Sequence, residues 1–400
     1  MQKQNNWLYL IPVALFIVSL CASMIVFRVT SGLKPAQVTP SPVAETQESE
    51  PEDESLIAGV DTLPKTEACP LNGVLYSQPE REAWESRRPL AVMIENSVDA
   101  RPQSGLADAD LVFEAVAEGG ITRFMAMYYC DAQSADVTLA PIRSARTYFI
   151  NLASGFNRPM YVHVGGANLE GPANALGQLN DYGWTGTNDI NQFSVGYPTF
   201  IRDYNRIPGK DIATEHTMTT STEKLWEVAQ KRGWTNVSPK TKVGSRTVDG
   251  EDWAEGFTGW DYNDDQAGSG SQTVSYQFWS GLPNFDVSWK YDSASGKYLR
   301  SNGGEPATDL NTGEQLAYDN VIVMFVEEEG PIDELKHMLY TVIGKGDGLY
   351  FFGGEATPIK WSKKSRESEL QFTDKNGKPL TFARGTFWIS LVPDTNDVDY

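Results

Sequence analysis

The sequence predicts an α+β protein in which an N-terminal mixed α/β domain is followed by a mostly-β C-terminal domain, both set behind a single N-terminal transmembrane helix. Three observations carry that reading. Trp7 to Phe27 form an apolar run without charge. Residues 70–243 mix strand-type runs with helical periods. From about Gly244 no long helical period survives, and short strand-type runs alternate with Gly, Asn and Asp turns. The divisions that follow are a signal anchor at 1–29, an acidic linker at 30–66, an α/β domain at 67–243 and a β-rich domain at 244–400. A chain of 400 residues has room for an anchor and two domains with cores of their own.

The apolar run at 7–27 would rise about 31 Å as a helix, close to the hydrocarbon thickness of a bilayer. Lys3 precedes it and Arg28 and Lys34 follow, so flanking charge orients it weakly. The acidic bulk behind the anchor places residues 30–400 outside the membrane. A cleaved signal peptide is the alternative, but the run is long and lacks a clear small-x-small site at its end. Between Thr30 and Lys65 the chain is rich in Pro, Ser, Thr and Glu, with Glu45, Glu48, Glu50, Glu52, Asp53 and Glu54 close together and almost no aromatic residues. Such a segment buries too little apolar surface to fold and stays extended by charge repulsion. About 35 residues of it reach on the order of 100 Å.

In the first folded domain, Leu90 to Glu95 is a continuous apolar run of buried-strand type. Leu111, Phe113, Ala115 and Ala117 alternate with Val112, Glu114, Val116 and Glu118 in a second strand. Gly119-Gly120 then turns the chain into Arg123 to Tyr129, a hairpin. A helix is expected from Ser144 as N-cap to about Ala153, then a strand from Met160 to Val164 ending at Gly165-Gly166. Thr220 to Glu223 has capping-box spacing for a further helix stopped by Gly233. In the second domain, strands are expected at Val274–Trp279, Asp286–Tyr291, Val321–Val326, His337–Ile343 and Thr386–Val392, and Asn376-Gly377 marks a hairpin. No internal repeat of fixed period is present.

Several long phrases carry a family resemblance: Met93-Ile94-Glu95-Asn96, Ala100-Arg101-Pro102-Gln103-Ser104-Gly105-Leu106, Glu118-Gly119-Gly120-Ile121-Thr122-Arg123-Phe124 and Arg143-Ser144-Ala145-Arg146. In the second domain it continues through Val287-Ser288-Trp289-Lys290-Tyr291-Asp292, Asn320-Val321-Ile322-Val323 and Phe387-Trp388-Ile389. By these phrases the chain resembles the YerB-type lipoprotein family, two-domain bacterial envelope proteins of unassigned function. The resemblance implies an envelope location and no particular reaction. Lipid attachment at Cys21 does not fit it well, because Val18-Ser19-Leu20-Cys21 has a large Leu where a lipobox takes a small residue. Cys69 and Cys130 remain as an even pair in a compartment that permits a disulfide, with two buried thiols as the alternative.

In a chain of net charge −20, Arg101, Arg123, Arg143 and Arg146 fall within 46 residues, a local reversal of sign. Arginine's planar fork suits phosphate and carboxylate. Each lies beside a Gly, a Pro or a strand end, where side chains converge on clefts. With Glu95 and Ser144 they form the expected anion-binding set; the competing reading pairs them with Glu95, Asp108, Asp110, Glu114 and Glu118 in an internal ion network. Asp110 and Glu114 are the carboxylates considered for base or cation-holding work, together with His163, before Gly165-Gly166, and His216, ahead of a helix, as an acid–base pair. The competing reading of both histidines is as satisfied, partly buried side chains. No His-x-x-x-His or Cys-x-x-Cys spacing supports zinc, no metal site is assigned and no cofactor is identified. There is no Gly-x-Ser-x-Gly and no P-loop. Trp289, Trp361 and Trp388 belong to apolar strands and read as core, while Trp253 and Trp260, among Gly, Glu and Asp, read as exposed.

The acidic balance and external location argue against nucleic acid as a partner. The partners expected are the membrane, through residues 7–27, and a cell-envelope glycan or an anionic lipid-linked ligand. The order of anchor, spacer and strand–helix domain is similar to that of the LytR-Cps2A-Psr phosphotransferases, and that likeness implies arginines around a phosphate with Asp110 or Glu114 as cation holder or base. The alternative is a non-enzymatic binding or scaffolding module of the envelope.

Overall fold

A computed structural model describes residues 56–57, 59–238, 240–243, 246–264, 270 and 272–400. The expected membrane helix at 7–27, Cys21 and residues 30–55 and 58 of the acidic linker lie outside the described residues. Among the described residues no helix is long and apolar enough to cross a membrane.

The core is a ten-stranded sheet. Its strands are β1 (Leu90–Glu95), β2 (Leu111–Glu118), β3 (Ile121–Tyr128), β4 (Met160–His163), β5 (Asp189–Asn191), β6 (Asn320–Val326), β7 (Gly344–Phe352), β8 (Glu355–Lys363), β9 (Gln371–Thr373) and β10 (Phe387–Pro393). They lie in the order β9-β8-β7-β6-β10-β2-β3-β1-β4-β5. The two sequence regions divided near Gly244 therefore share one sheet, joined where β10 pairs in parallel with β2, Phe387 opposite Leu111 and Ser390 opposite Glu114. Central position explains why Leu111 to Ala117 are buried throughout, where the sequence alternation reads as a strand with one wet face.

One face of this sheet is covered by a smaller antiparallel sheet of the C-terminal region, built on Thr273–Tyr276, Val287–Asp292 and Lys297–Asn302. Trp388 of β10 meets Trp289 and Tyr318 edge-on at 5.4 and 5.1 Å between ring centres, and Tyr276 is hydrogen-bonded to Ser390. Trp253 is fully buried against Tyr129 and donates to Phe156 O, and Trp260 is half-buried and donates to Leu370 O. Both are correctives to a reading from neighbours in sequence, since polar neighbours do not prevent an indole from reaching across to another element. Cys69 and Cys130 are joined by a disulfide that closes a loop of 61 residues.

Two helix starts differ from expectation. The helix α1 covers Thr147–Ala153 with Arg146 as N-cap, not Ser144, because Ala145 is held in extended pairing, its N–H donating to Gly165 O. The helix α2 covers Thr222–Lys231 with Ser221 as N-cap. Its first-turn N–H at Glu223 is satisfied by Asp136 Oδ1 at 3.0 Å, a distant acceptor in place of the local capping box.

Candidate functional site

Strands β1, β4 and β5 run parallel, so Glu95, His163 and Asn191 all arrive at one end of the sheet. Ligands of open α/β sheets bind beyond the carboxyl ends of parallel strands where neighbouring strands diverge. Here the segment after Ala140 enters that gap. Arg143 donates its N–H to Met93 O of β1 and its carbonyl accepts from Val164 N, just past β4. Ile142 donates to Met218 O of a small three-stranded sheet made of Thr138–Leu139, Met218–Ser221 and Ile201–Arg202.

The result is an open cleft of 710 Å³ whose wall includes Arg143, Ser144, Gly165, Gly166, Asn168, Asn191, Phe193, Arg202 and Glu215. Gly165 takes a left-handed φ of +57°, which frees its neighbours to form a tight floor. Asn191 Oδ1 fixes that floor by accepting from Gly165 N and Phe193 N, both at 3.1 Å.

The four arginines of the cluster do different work. Arg123 and Arg146 share Glu118, with side chains 2% and 6% exposed. Arg123 also donates to Ser144 O and Arg146 to Ala145 O. Burial pushes the Glu118 carboxyl up, but Arg123 and Arg146 more than offset it and hold it at about 2. Arg101 donates to Asn96 Oδ1, Asn96 O and Asn284 O and lies over the Phe285 ring; burial, with Arg300 nearby, lowers its pKa to about 10. Arg143 is the exception. Its side chain is 27% exposed on the cleft wall, and its Nε lies 3.2 Å from Glu95 Oε1 without hydrogen-bond alignment. Arg202 stands on the same wall, exposed, donating from Nη1 to Thr214 O.

Glu95 sits beneath Arg143, nearly buried, and its other oxygen is 2.8 Å from His216 Nδ1. His216 follows Glu215 of the cleft wall and braces Glu95 from behind. His163 is fully buried and lies apart from His216 in its bonding, with Nε2 2.6 Å from Asp189 Oδ1 and Nδ1 2.5 Å from Gly165 O. It locks the end of β4 to β5 and to the glycine floor, so the two histidines do not form a pair.

The carboxylates considered for base work are elsewhere. Asp110 is fully buried beside the disulfide, accepting from Asn72 Nδ2, Tyr129 N and Cys130 N at 2.8, 2.7 and 3.1 Å. Desolvation there pushes its pKa up to about 7. Glu114 is fully buried on the opposite face of the sheet, receiving both bonds of Arg300 Nη2. A bulge between Val116 and Glu118 separates it from Glu118, which strand alternation alone would put on the same face. Among the described residues, the side chains grouped closely enough to hold a metal ion are Cys69, Asp110 and Cys130, and the disulfide occupies both sulfurs.

Arg202, Asn168, Asn191, Phe193 and Glu215 were outside the sequence-based set. They sit on short elements or, for Asn168, on a loop, none with a motif, and only the position of Asn191 at a parallel strand end gives a signal in retrospect.

Comparison with known proteins gives consistent matches. Residues 76–235 match the family described as "Protein of unknown function (DUF3048) N-terminal domain", and residues 274–389 match the corresponding DUF3048 C-terminal domain. The chain is 29% identical over 343 residues to "Putative lipoprotein YerB" of Bacillus subtilis (strain 168), covering 84% of this chain and 88% of that one. It is also similar to the crystal structure of YerB protein from Bacillus subtilis, with a TM-score of 0.64 at 27% identity, over 84% of this chain and 100% of that one.

Proposed function

The chain belongs to the DUF3048 family, carrying both of its domains in order, and we propose that it is a membrane-tethered extracytoplasmic envelope protein whose N-terminal domain binds an anionic ligand, phosphate-bearing or glycan, in the cleft headed by Arg143. The location is supported by the lipoprotein description of the Bacillus relative, by the apolar run at 7–27 and by a disulfide of the kind that persists outside the cytoplasm. The binding role rests on one observation. Arg143 is the member of the arginine cluster whose side chain stands on an open cleft wall without a hydrogen bond to the protein, whereas Arg101, Arg123 and Arg146 are engaged by internal acceptors.

Arg202 on the same wall adds a second positive charge, and Glu95 holds Arg143 in place by charge contact. A phosphotransferase-like reaction at this cleft would draw on Glu215 of the wall or on Glu95 and His216 behind it, because Asp110 and Glu114 are buried in other parts of the fold.

The test is binding of inorganic pyrophosphate and of a polyanionic glycan to the full chain in detergent, with Arg143→Ala and Arg146→Ala alongside. Removing a charged hydrogen-bond donor from a ligand costs about 1.5 to 3 kcal/mol, so Arg143→Ala should weaken binding by about tenfold or more while the melting temperature holds. Arg146→Ala should lower the melting temperature, because it leaves Glu118 with one partner fewer. Unchanged binding in Arg143→Ala would remove this reading and favour the scaffolding alternative.

A further inference from the structure

The cleft holds, beside its two arginines, a large apolar side chain in an unusual setting. Phe193 is 76% exposed, and it meets the cleft floor at two points. Its N–H is held by Asn191 Oδ1, and its ring edge rests against Gly165 so closely that a Cβ at that glycine would come within 3.0 Å of Phe193 Cε2. The same backbone leads through Val164, whose N–H donates to Arg143 O. Ring and guanidinium are thus carried on neighbouring segments, each hydrogen-bonded to the Val164–Gly165 backbone.

An exposed ring that is held in place and not buried offers its face to a ligand. A bare phosphate makes no use of an aromatic face. An isoprenoid chain needs a continuous apolar channel, and here the apolar wall residues beside Phe193, the buried Ile142 and Met218 and the half-buried Val164 and Leu176, share the wall with Arg143, Asn168, Arg202 and Glu215, whose polar groups interrupt one. A sugar ring bearing a carboxylate or phosphate matches more of this wall: its C–H face on Phe193, its anion on Arg143 and Arg202, and its hydroxyls on the exposed Asn168 and the Glu215 carboxylate. Resting on the anion-binding reading of this cleft, we propose that the ligand class is an acidic saccharide whose ring stacks on Phe193 while its charged group meets Arg143.

The experiment measures binding of trigalacturonate, maltotriose and inorganic pyrophosphate to the full chain in detergent, for the parent protein, Phe193→Ala, Phe193→Trp and Arg143→Ala. The parent should bind trigalacturonate better than maltotriose. Phe193→Ala should weaken trigalacturonate by about tenfold, which is about 1.4 kcal/mol, with pyrophosphate binding and melting temperature unchanged. Phe193→Trp should restore it, and Arg143→Ala should weaken both anions. Trigalacturonate binding that is equal in the parent and Phe193→Ala, or absent while pyrophosphate binds, would overturn the saccharide assignment and leave the anion site standing. Absence of binding to either anion, or binding indifferent to Arg143→Ala, would bring down the anion site and this inference together.

Discussion

Two meetings of a glutamate with an arginine, on opposite faces of the same sheet, have opposite characters. Glu114 and Arg300 are both fully buried, with Arg300 Nη2 2.9 and 2.8 Å from the two carboxylate oxygens. Thr122 and Trp388 donate to the same carboxylate, and the guanidinium lies 4.2 Å from the Trp388 ring centre and 5.1 Å from that of Trp289. Glu95 and Arg143 use the same residue types, but the arginine reaches the cleft surface and its contact with Glu95 lacks hydrogen-bond alignment. A closed pair fastens two sheets, and an open one keeps its donors for something else. Residue chemistry alone does not separate these cases; burial does, since Arg300 is enclosed with Nη2 on Glu114 while its Nε and Nη1 have no hydrogen bond, and Arg143 reaches the cleft.

The largest effect that would break the contrast is at the closed pair. Arg300→Ala leaves Glu114 buried without its cation, and Glu114→Ala leaves Arg300 buried without its anion, so each should cost about 3 to 5 kcal/mol in denaturant unfolding. Replacing both together, Glu114→Leu with Arg300→Met, should cost far less, because no charge is stranded. Single losses below about 1 kcal/mol would show that this interior is wetter than its packing indicates.

A middle-sized effect concerns Glu118, which lies between the two extremes with two arginines on one carboxylate. Its ordinary value of 4.5 is lowered to about 2 in the folded protein, burial being outweighed by Arg123 and Arg146. The stability it contributes is therefore fully present above about 4.5 and is lost as pH falls toward 2. Glu118→Gln should flatten that part of the stability–pH curve, read by thermal melts between pH 2 and 5. A variant that loses stability with acid as steeply as the parent would assign the acid sensitivity to other carboxylates.

How far the sequence foretold these differences can be argued residue by residue. The strands Leu90–Glu95, Leu111–Glu118 and Phe387–Pro393 were legible because continuous or alternating apolar runs bounded by glycine and polar turns have few other readings. The merging of both regions into one sheet was not, since the parallel pairing of β10 with β2 joins residues nearly 300 positions apart and leaves no local trace. Arg300 was missed for a different reason. It lies between Tyr298 and Asn302 on the buried face of its strand, and the alternation was there to be read, but a charged residue is ordinarily assigned to the wet face. At the cleft, the cluster Arg101, Arg123, Arg143 and Arg146 was visible, while its division into three engaged members and one open member depended on Glu118, Asn96 and Asn284, whose approach is set by a bulge and by the other region of the chain. Phe193 carried no usable signal, because polar neighbours surround both the buried Trp253 and the exposed Phe193.

The smallest expected effect is the one that sharpens the contrast most. Arg143→Ala removes a side chain that is 27% exposed and makes no hydrogen bond to the protein, and Glu95 keeps His216 at 2.8 Å afterwards. Glu95 is buried but keeps His216 as a partner, and the arginine lost stands on the cleft wall, so the unfolding free energy should change by about 1 kcal/mol, well below the loss at a fully buried pair. Measured beside Arg300→Ala in the same denaturant series, the two substitutions remove the same functional group from the same kind of partner. A difference of several kcal/mol between them would follow from the full burial of the Arg300–Glu114 pair against the partly open Arg143. Equal and large losses would mean that Arg143 is held as tightly as Arg300, and an arginine that the fold itself requires cannot be counted as a donor kept for a ligand.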